Sequence, residues 1–292
     1  MHGLLNLDKP VGMSSFHAVR RARRLTGVDR AGHGGTLDPA ASGVLPILLG
    51  TATRLAAFVH EWPKTYRAGG QLGFVSDTYD REGTITPTGA AGWVSEDAIR
   101  QALLQFCGRI LQVPPMHSAL KMGGEALYRK ARRGETVERP AREVEIHRLE
   151  LVEHDRDTGR FELEVTCGKG MYVRSLVHDL GVRLGCGAYL AALRRTAFGP
   201  LTAEEAVTPQ RLESAGPDWS RWLLPLDLPL RGFPVVELEP ARARAVRNGQ
   251  AVLAPEAAAT GRHRLVDGEG RLLGLGLVDR SGLVRAKPVF PG

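Results

Sequence analysis

The sequence predicts an α+β protein: a mixed sheet flanked by helices, followed by a small β-rich domain. Three observations carry this. Strand-like apolar runs interleave with helical patterns without a regular βα repeat, which argues against a doubly wound sheet. Residues 199–230 are rich in proline, tryptophan and acids and read as a connector. From about 231 the chain shifts to short β-like stretches separated by glycine turns. A length of 292 residues fits one large and one small domain, placed here at 1–230 and 231–292.

Residues 3–7 read as a short strand ending at Asp8-Lys9-Pro10, and Ser14 or Ser15 can cap a helix over 16–25. That helix carries Arg20, Arg21, Arg23 and Arg24, read equally well as a solvated face or as a phosphate-contacting one. A glycine-rich loop, Gly32-His33-Gly34-Gly35-Thr36-Leu37-Asp38-Pro39, leads into an apolar strand over 43–49. Residues 51–59 read as a short helix, 64–73 as a strand of small residues, and 77–83 as a turn. Ser95 opens a helix with a cap, early acids and apolar residues at helical spacing. Residues 143–153 and 160–167 read as paired strands around a 155–159 turn. Val173 to Leu184 reads as a helix ending at Gly185, with a strand or strand–turn over 187–198. The tail offers β-like stretches at 261–266, 272–278 and 283–289.

The charge balance is basic, with 39 Lys+Arg against 32 Asp+Glu and a pI near 9.7. Its distribution is more telling than its sum. Residues 112–140, bounded by Pro114-Pro115 and Pro140, contain a short basic helix pattern at about 125–133. Over 121–142 seven Lys/Arg face three Glu, and over 231–292 ten face six acids. With the arginine-bearing helix, that makes three separate basic regions and points to a nucleic-acid partner, with 112–140 as a binding arm. Three dispersed cysteines, Cys107, Cys167 and Cys186, fit neither a zinc site nor a disulfide framework and read as free thiols. No secretory leader and no apolar run of ~20 residues is visible, so a cytoplasmic protein off the membrane is expected.

No Walker motif, dinucleotide fingerprint, H-E-x-x-H or nucleophile elbow is present. Glycines let a backbone turn sharply and approach a ligand, so Asp38 is either a local cap or a reactive carboxylate. Tyr66 lies in a small-residue strand, and Lys169-Gly-Met-Tyr-Val-Arg174 opens a helix. An arginine beside an aspartate orients it, and a tyrosine can stack on a base while offering a hydroxyl. Together they suit a carboxylate acting on a base within a polyanion.

These residues carry a family resemblance. GHGGTLDPAASGVLP (32–46) closely resembles the signature of the TruB-type pseudouridine synthases, the tRNA pseudouridine-55 synthases. Four more segments match in order: GLLNLDKPVGMSS (3–15), KTYR (64–67) with SDTYDREG (76–83), KGMYVRSLVHDLG (169–181) and CGAYLAALRRTAFG (186–199). The 114–134 stretch resembles the tRNA-gripping insertion of bacterial members, and the tail resembles a small PUA-type RNA-binding domain.

The resemblance implies a largely antiparallel pseudouridine synthase fold and isomerisation of the T-loop uridine of tRNA, position 55, by base flipping, without cofactor or metal. The uracil leaves its ribose carbon, turns, and rejoins through C5. It implies Asp38 as the essential group, acting on the base, on the ribose, or on a ribose proton. Tyr66 is implied to pack on the base and help move the C5 proton, and Arg174 to pair with the aspartate. Tyr172 and Leu193 are implied in the substrate pocket, His33 in extruding the nucleotide, and Lys9 and Asp80 in support. A monomer acting alone, without guide RNA or protein partner, is expected; a guide-dependent dyskerin-type synthase and a non-catalytic RNA-binding or tRNA-folding protein are the other readings. Two departures stand out: Gly-Gly-Thr follows His33 where Thr-Gly-Ala is common, and His117 stands where tyrosine is usual in the arm.

Overall fold

A computed structural model describes residues 1–89, 91–118, 120–135, 137–255 and 258–290. The side chains of Lys121, Arg129 and Arg132, part of the arm's positive charge, lie outside the described residues.

Ten strands form the main sheet. Its principal order is Leu223–Leu224, Gly3–Lys9, Ser42–Leu49, Ala188–Phe198, Lys64–Leu72, Arg160–Cys167, Arg142–Asp155 and Gly108–Gln112. Ala31–His33 pairs with Ser42–Leu49, and Leu201–Thr202 pairs with Ala188–Phe198. Every pairing is antiparallel except the central one, where Arg194 and Arg195 lie parallel to Ser42 and Gly43. The expected mixed, largely antiparallel α+β sheet is therefore present. Close approach at the parallel step dictates glycine at 43: its φ is +107°, and an added Cβ would lie 2.1 Å from the Arg195 carbonyl oxygen.

Among the main unit's apolar clusters one joins Leu4, Val44, Leu48, Phe198 and Leu201, and two others flank the site. Of these two, one joins Leu163, Val165, Leu176 and Leu180 under the helices Glu96–Leu103 and Val173–Leu184. The other joins Leu5, Leu45, Ile47, Ala18 and Ala22 under the helix Ser15–Thr26. Tyr66 and Leu193 pack against both clusters, so they mark the seam between the two halves. In the helix Ser15–Thr26, Ser14 is the cap, accepting from the His17 amide, while Ser15 is buried and turns inward. Arg20, Arg23 and Arg24 are exposed, and Arg21 pairs with Glu213.

A second, five-stranded sheet runs Val235–Leu238, Gly261–Asp267, Leu272–Val278, Leu283–Val289 and Val252–Leu253. It meets the main unit through a cluster of Leu55, Leu230, Leu275 and Phe290, and Arg54 donates to the Val289 carbonyl at 2.6 Å.

The structure corrects several expectations. The 199–230 stretch is no mere connector: it supplies the edge strand Leu223–Leu224 and buries Trp219 in the core. The tail includes a helix, Pro240–Arg247, whose Ala243 and Val246 face the second sheet; three arginines in eight residues masked its narrow apolar stripe. Residues 50–55 form a 3₁₀ turn, with α-helix only over Ala56–Glu61. In the arm the helix shortens to Leu127–Arg132, preceded by a tiny hairpin of Lys121–Met122 and Glu125–Ala126.

Candidate active site

The loop bearing Asp38 joins two strands that pair with each other, so its ends are fixed by the sheet. Its middle is fixed by buried side chains bonding to its backbone. Ser15 Oγ donates to the Leu37 carbonyl and accepts from the Leu37 amide, both at 2.9 Å. Lys9 Nζ is fully buried and donates to the carbonyls of Pro10, Met13 and Ala41 at 2.9, 2.7 and 2.5 Å. Arg195, 1% exposed, donates to the carbonyls of Val44, Thr36 and Gly35 at 2.6, 3.2 and 3.3 Å. Backbone carbonyls in a buried loop need donors, and three of these six bonds go to the loop itself, at Gly35, Thr36 and Ala41. Gly34 lies against Val59, with room for no Cβ.

Asp38 itself points outward, its side chain 40% exposed, and Arg174 holds it. Arg174 Nη2 stands 2.9 Å from Asp38 Oδ2, while Nη1 stands 3.3 Å from Asp80 Oδ2. The guanidinium is buried and forks between the two carboxylates, which fixes orientation as well as charge. Asp80 is held in turn: its Oδ1 accepts from Thr78 Oγ1 at 2.7 Å and from the Glu82 amide at 3.0 Å. Arg174 also donates to the His117 carbonyl at 2.9 Å, tying the base of the arm to the site. Gln112 exchanges two bonds with the Tyr172 backbone, and Ser175 Oγ donates to the Val113 carbonyl.

Asp38 opens onto a cavity of about 320 Å³ whose walls include Lys64, Tyr66, Tyr172, Leu193 and Arg195. The strand register sets Tyr66 opposite both Arg195 and Val165. Burial pushes the Tyr66 phenol above its ordinary value, with the Arg195 guanidinium opposing, so the hydroxyl keeps its proton at neutral pH. The Arg195 guanidinium lies 6.0 Å from the Tyr66 ring centre and 4.7 Å from that of Phe198. Lys64 donates to the His60 carbonyl at 2.6 Å, and burial lowers its ammonium to about 8. Lys9 is likewise lowered to about 8, by burial first and the Arg195 charge second. The cavity therefore combines a flat aromatic wall, one open carboxylate and a cationic rim, a combination suited to a planar base carried on a phosphate backbone.

The residues singled out in the sequence divide into three groups. Asp38, Tyr66, Tyr172, Arg174 and Leu193 line the cavity together. Asp80 and Lys9 stand behind it, one anchoring Arg174 and the other the loop. His33 sits half-buried in the strand Ala31–His33, outside the cavity wall, its ring kept neutral by burial. Ser15, Lys64 and Arg195 were not singled out from sequence, although all three lie in the matching motifs. The one available signal was a pair of arginines inside an otherwise small and apolar strand at 194–195, because a strand turns adjacent residues to opposite faces. Arg194 indeed faces away and pairs with Asp8 at 2.9 Å.

Comparison with known proteins finds similarity along the whole chain. Residues 23–173 match the TruB family pseudouridylate synthase N-terminal domain. Residues 174–231 match the tRNA pseudouridylate synthase B C-terminal domain, and residues 234–290 the pseudouridine synthase II TruB C-terminal family. The tRNA pseudouridine synthase B of Burkholderia pseudomallei is 46% identical over 299 residues, covering all of this chain and 98% of the relative. That of Xanthomonas campestris pv. campestris is 43% identical, covering all of this chain and 95% of the relative. Among solved structures, a Cbf5-Nop10-Gar1 complex aligns with a TM-score of 0.73 at 27% identity, covering 99% of this chain and 85% of the other. With matched domains from residue 23 to 290 and relatives of this similarity along its full length, the chain belongs to the TruB family of pseudouridylate synthases.

Proposed function

We propose that this protein isomerises a uridine of tRNA to pseudouridine, that the target is the T-loop uridine at position 55, and that Asp38 is its essential group. The observation that supports this most is the Asp38 carboxylate itself: it opens into the cavity beside Tyr66 and is held from behind by Arg174 and Asp80. The reaction needs no net oxidation and no added group. The N1–C1′ bond breaks, the detached uracil turns, and a C5–C1′ bond forms. The C5 proton then leaves, and N1 carries a proton in the product.

The chain's own residues fit the parts of this sequence. A uridine inside folded RNA must leave its stack, at a cost of a few kcal/mol. Tyr66 offers the flipped base a rigid face, with Leu193 and Tyr172 on the cavity's other walls. Asp38 can reach the base, the ribose carbon or a ribose proton, and Arg174 fixes its direction for each. Tyr66, protonated at rest, can serve the last step only as a relay, its oxygen accepting the C5 proton as its own proton passes on towards N1. His33, outside the cavity wall, is assigned to the displaced nucleotide's path, and Lys9 to the loop beneath Asp38.

The arm at 112–140, the exposed arginines of the helix Ser15–Thr26 and the unit at 231–292, read as a PUA-like RNA-binding domain, would hold the RNA backbone. Binding should then weaken steeply with salt. An arm that prises open the tRNA elbow could also help misfolded tRNA refold. The protein is taken to act as a cytoplasmic monomer. Among the described residues no helix is long and apolar enough to cross a membrane.

A guide-dependent mode has one observation in its favour, the likeness to Cbf5 in its complexes. The full-length similarity to proteins named tRNA pseudouridine synthase B favours a stand-alone enzyme. One experiment decides both points: pseudouridine mapped by position in an unmodified tRNA transcript treated with the isolated protein or with Asp38→Asn. The expected result is modification at the T-loop uridine alone, absent in the variant although tRNA still binds. No modification by the wild type, with tight tRNA binding, would overturn the stand-alone reading.

A further inference from the structure

Tyr79 breaks a conformational rule immediately beside the site. Among the described residues it is the one non-glycine residue with positive φ, at 65°. That region is unfavourable for a residue with a Cβ and persists where surrounding contacts enforce it. The Tyr79 ring lies stacked on the His178 ring, with centroids 3.9 Å apart and planes 13° apart. His178 and Arg174 both belong to the helix Val173–Leu184, four residues apart, and so share a face. The next residue along from Tyr79 is Asp80, which holds Arg174.

The geometry points to a two-rung clamp, in which the Tyr79–His178 stack positions Asp80 against Arg174 and thereby sets the direction of Asp38. In an extended chain, Tyr79 and Asp80 would point to opposite sides. The left-handed twist at Tyr79 brings both side chains onto one face of one helix. The two rungs are one helical turn, roughly 6 Å, apart along it. The backbone of the same turn is tied elsewhere: the Tyr79 amide donates to the Ser76 carbonyl, and the Tyr79 carbonyl accepts from the Leu190 amide. Those bonds fix the turn to the strand Ala188–Phe198 and to itself, whereas the stack fixes it to the helix that carries Arg174. Among the described residues the buried Nδ1 of His178 has no hydrogen-bond partner, and the ring is packed on Tyr79. Tyr79 and His178 are therefore positioning residues, acting through Asp80 and Arg174 and not on the reacting atoms.

This inference rests on the reading of Asp38 and Arg174 as the reacting pair, and its test separates the two. Tyr79→Gly removes the ring while keeping a residue that adopts positive φ without strain. His178→Ala removes the other half of the stack, and His178→Phe restores a stacking ring without the imidazole. Steady-state kinetics on a tRNA transcript should show kcat reduced on the order of 10-fold in Tyr79→Gly and His178→Ala, because small displacements of reacting groups are costly. KM should stay within about twofold, and His178→Phe should recover most of kcat. Melting curves establish that each variant is folded at the assay temperature. The inference is overturned if both truncations keep wild-type kcat, if His178→Phe is as impaired as His178→Ala, or if lost activity merely tracks lost folded protein. An inactive wild type would instead overturn the functional reading.

Discussion

The loop that presents Asp38 and the basic arm at 112–140 are built on opposite principles. Beneath the loop, Lys9 and Arg195 are fully buried and bond to backbone carbonyls. In the arm, Arg133 is half-exposed and bonds to the carboxylates of Glu125 and Glu135, each at 2.7 Å. A cation bonded to backbone in a dry setting fixes a chain path, since removing it leaves buried acceptors unsatisfied. A cation paired with acids at the surface adds little to stability and can exchange its partner for a phosphate. The same residue types thus serve shape in one region and, in the function proposed above, binding in the other.

The sharpest way to break this contrast is Arg195→Lys. An ammonium cannot reproduce a fork spanning three carbonyls, so about 2–3 kcal/mol of stability should be lost. The urea midpoint should fall and kcat should fall with it, even under conditions where the variant is folded. Unchanged turnover in folded Arg195→Lys would show that the loop needs no such support.

A smaller effect tests the second buried cation. Burial places the Lys9 pKa near 8 in the folded protein, below the ordinary lysine value of 10.5. Between these values the unfolded chain binds more protons, so this group makes stability rise with pH from about 8 to 10.5. Below pH 8 both states are protonated and its contribution is constant. Denaturation of wild type and Lys9→Met across pH 7–10.5 should show the difference between them moving in favour of wild type above pH 8. A pH-independent difference would place the Lys9 ammonium at its ordinary value.

Arg133→Ala should give the smallest change in stability, as for other exposed pairs. Its signature belongs to binding. If the arm contacts phosphates, tRNA affinity should fall and the salt slope should decrease by about one. A clear loss of stability without a change in salt slope would erase the distinction between the two regions.

Much of the architecture was legible in the sequence because local signals agreed with tertiary demand. Ser95 and its following acids open a helix, Gly185 ends another in the left-handed conformation, and the paired strands around 155–159 carry an alternating pattern. Where signals conflicted, reading failed. The helix Pro240–Arg247 carries three arginines in eight residues, and the edge strand Leu223–Leu224 lies within a stretch of turns. Both are stabilised by neighbours remote in sequence, which no local window contains.

The site divides in the same way. By itself, the sequence determined the chemistry available: a carboxylate in a glycine loop, a tyrosine in a small-residue strand, an arginine at a helix start, and basic segments for a polyanion. Residue type and local backbone preference are properties of short segments. Only the tertiary structure decided that Arg174 divides itself between Asp38 and Asp80, that Arg195 lies beneath the loop, and that His33 stands apart from the cavity. Those relations join residues as much as 160 positions apart in the chain. They depend on strand register, on the parallel pairing of Arg194 and Arg195 with Ser42 and Gly43, and on the burial that makes each polar contact obligatory.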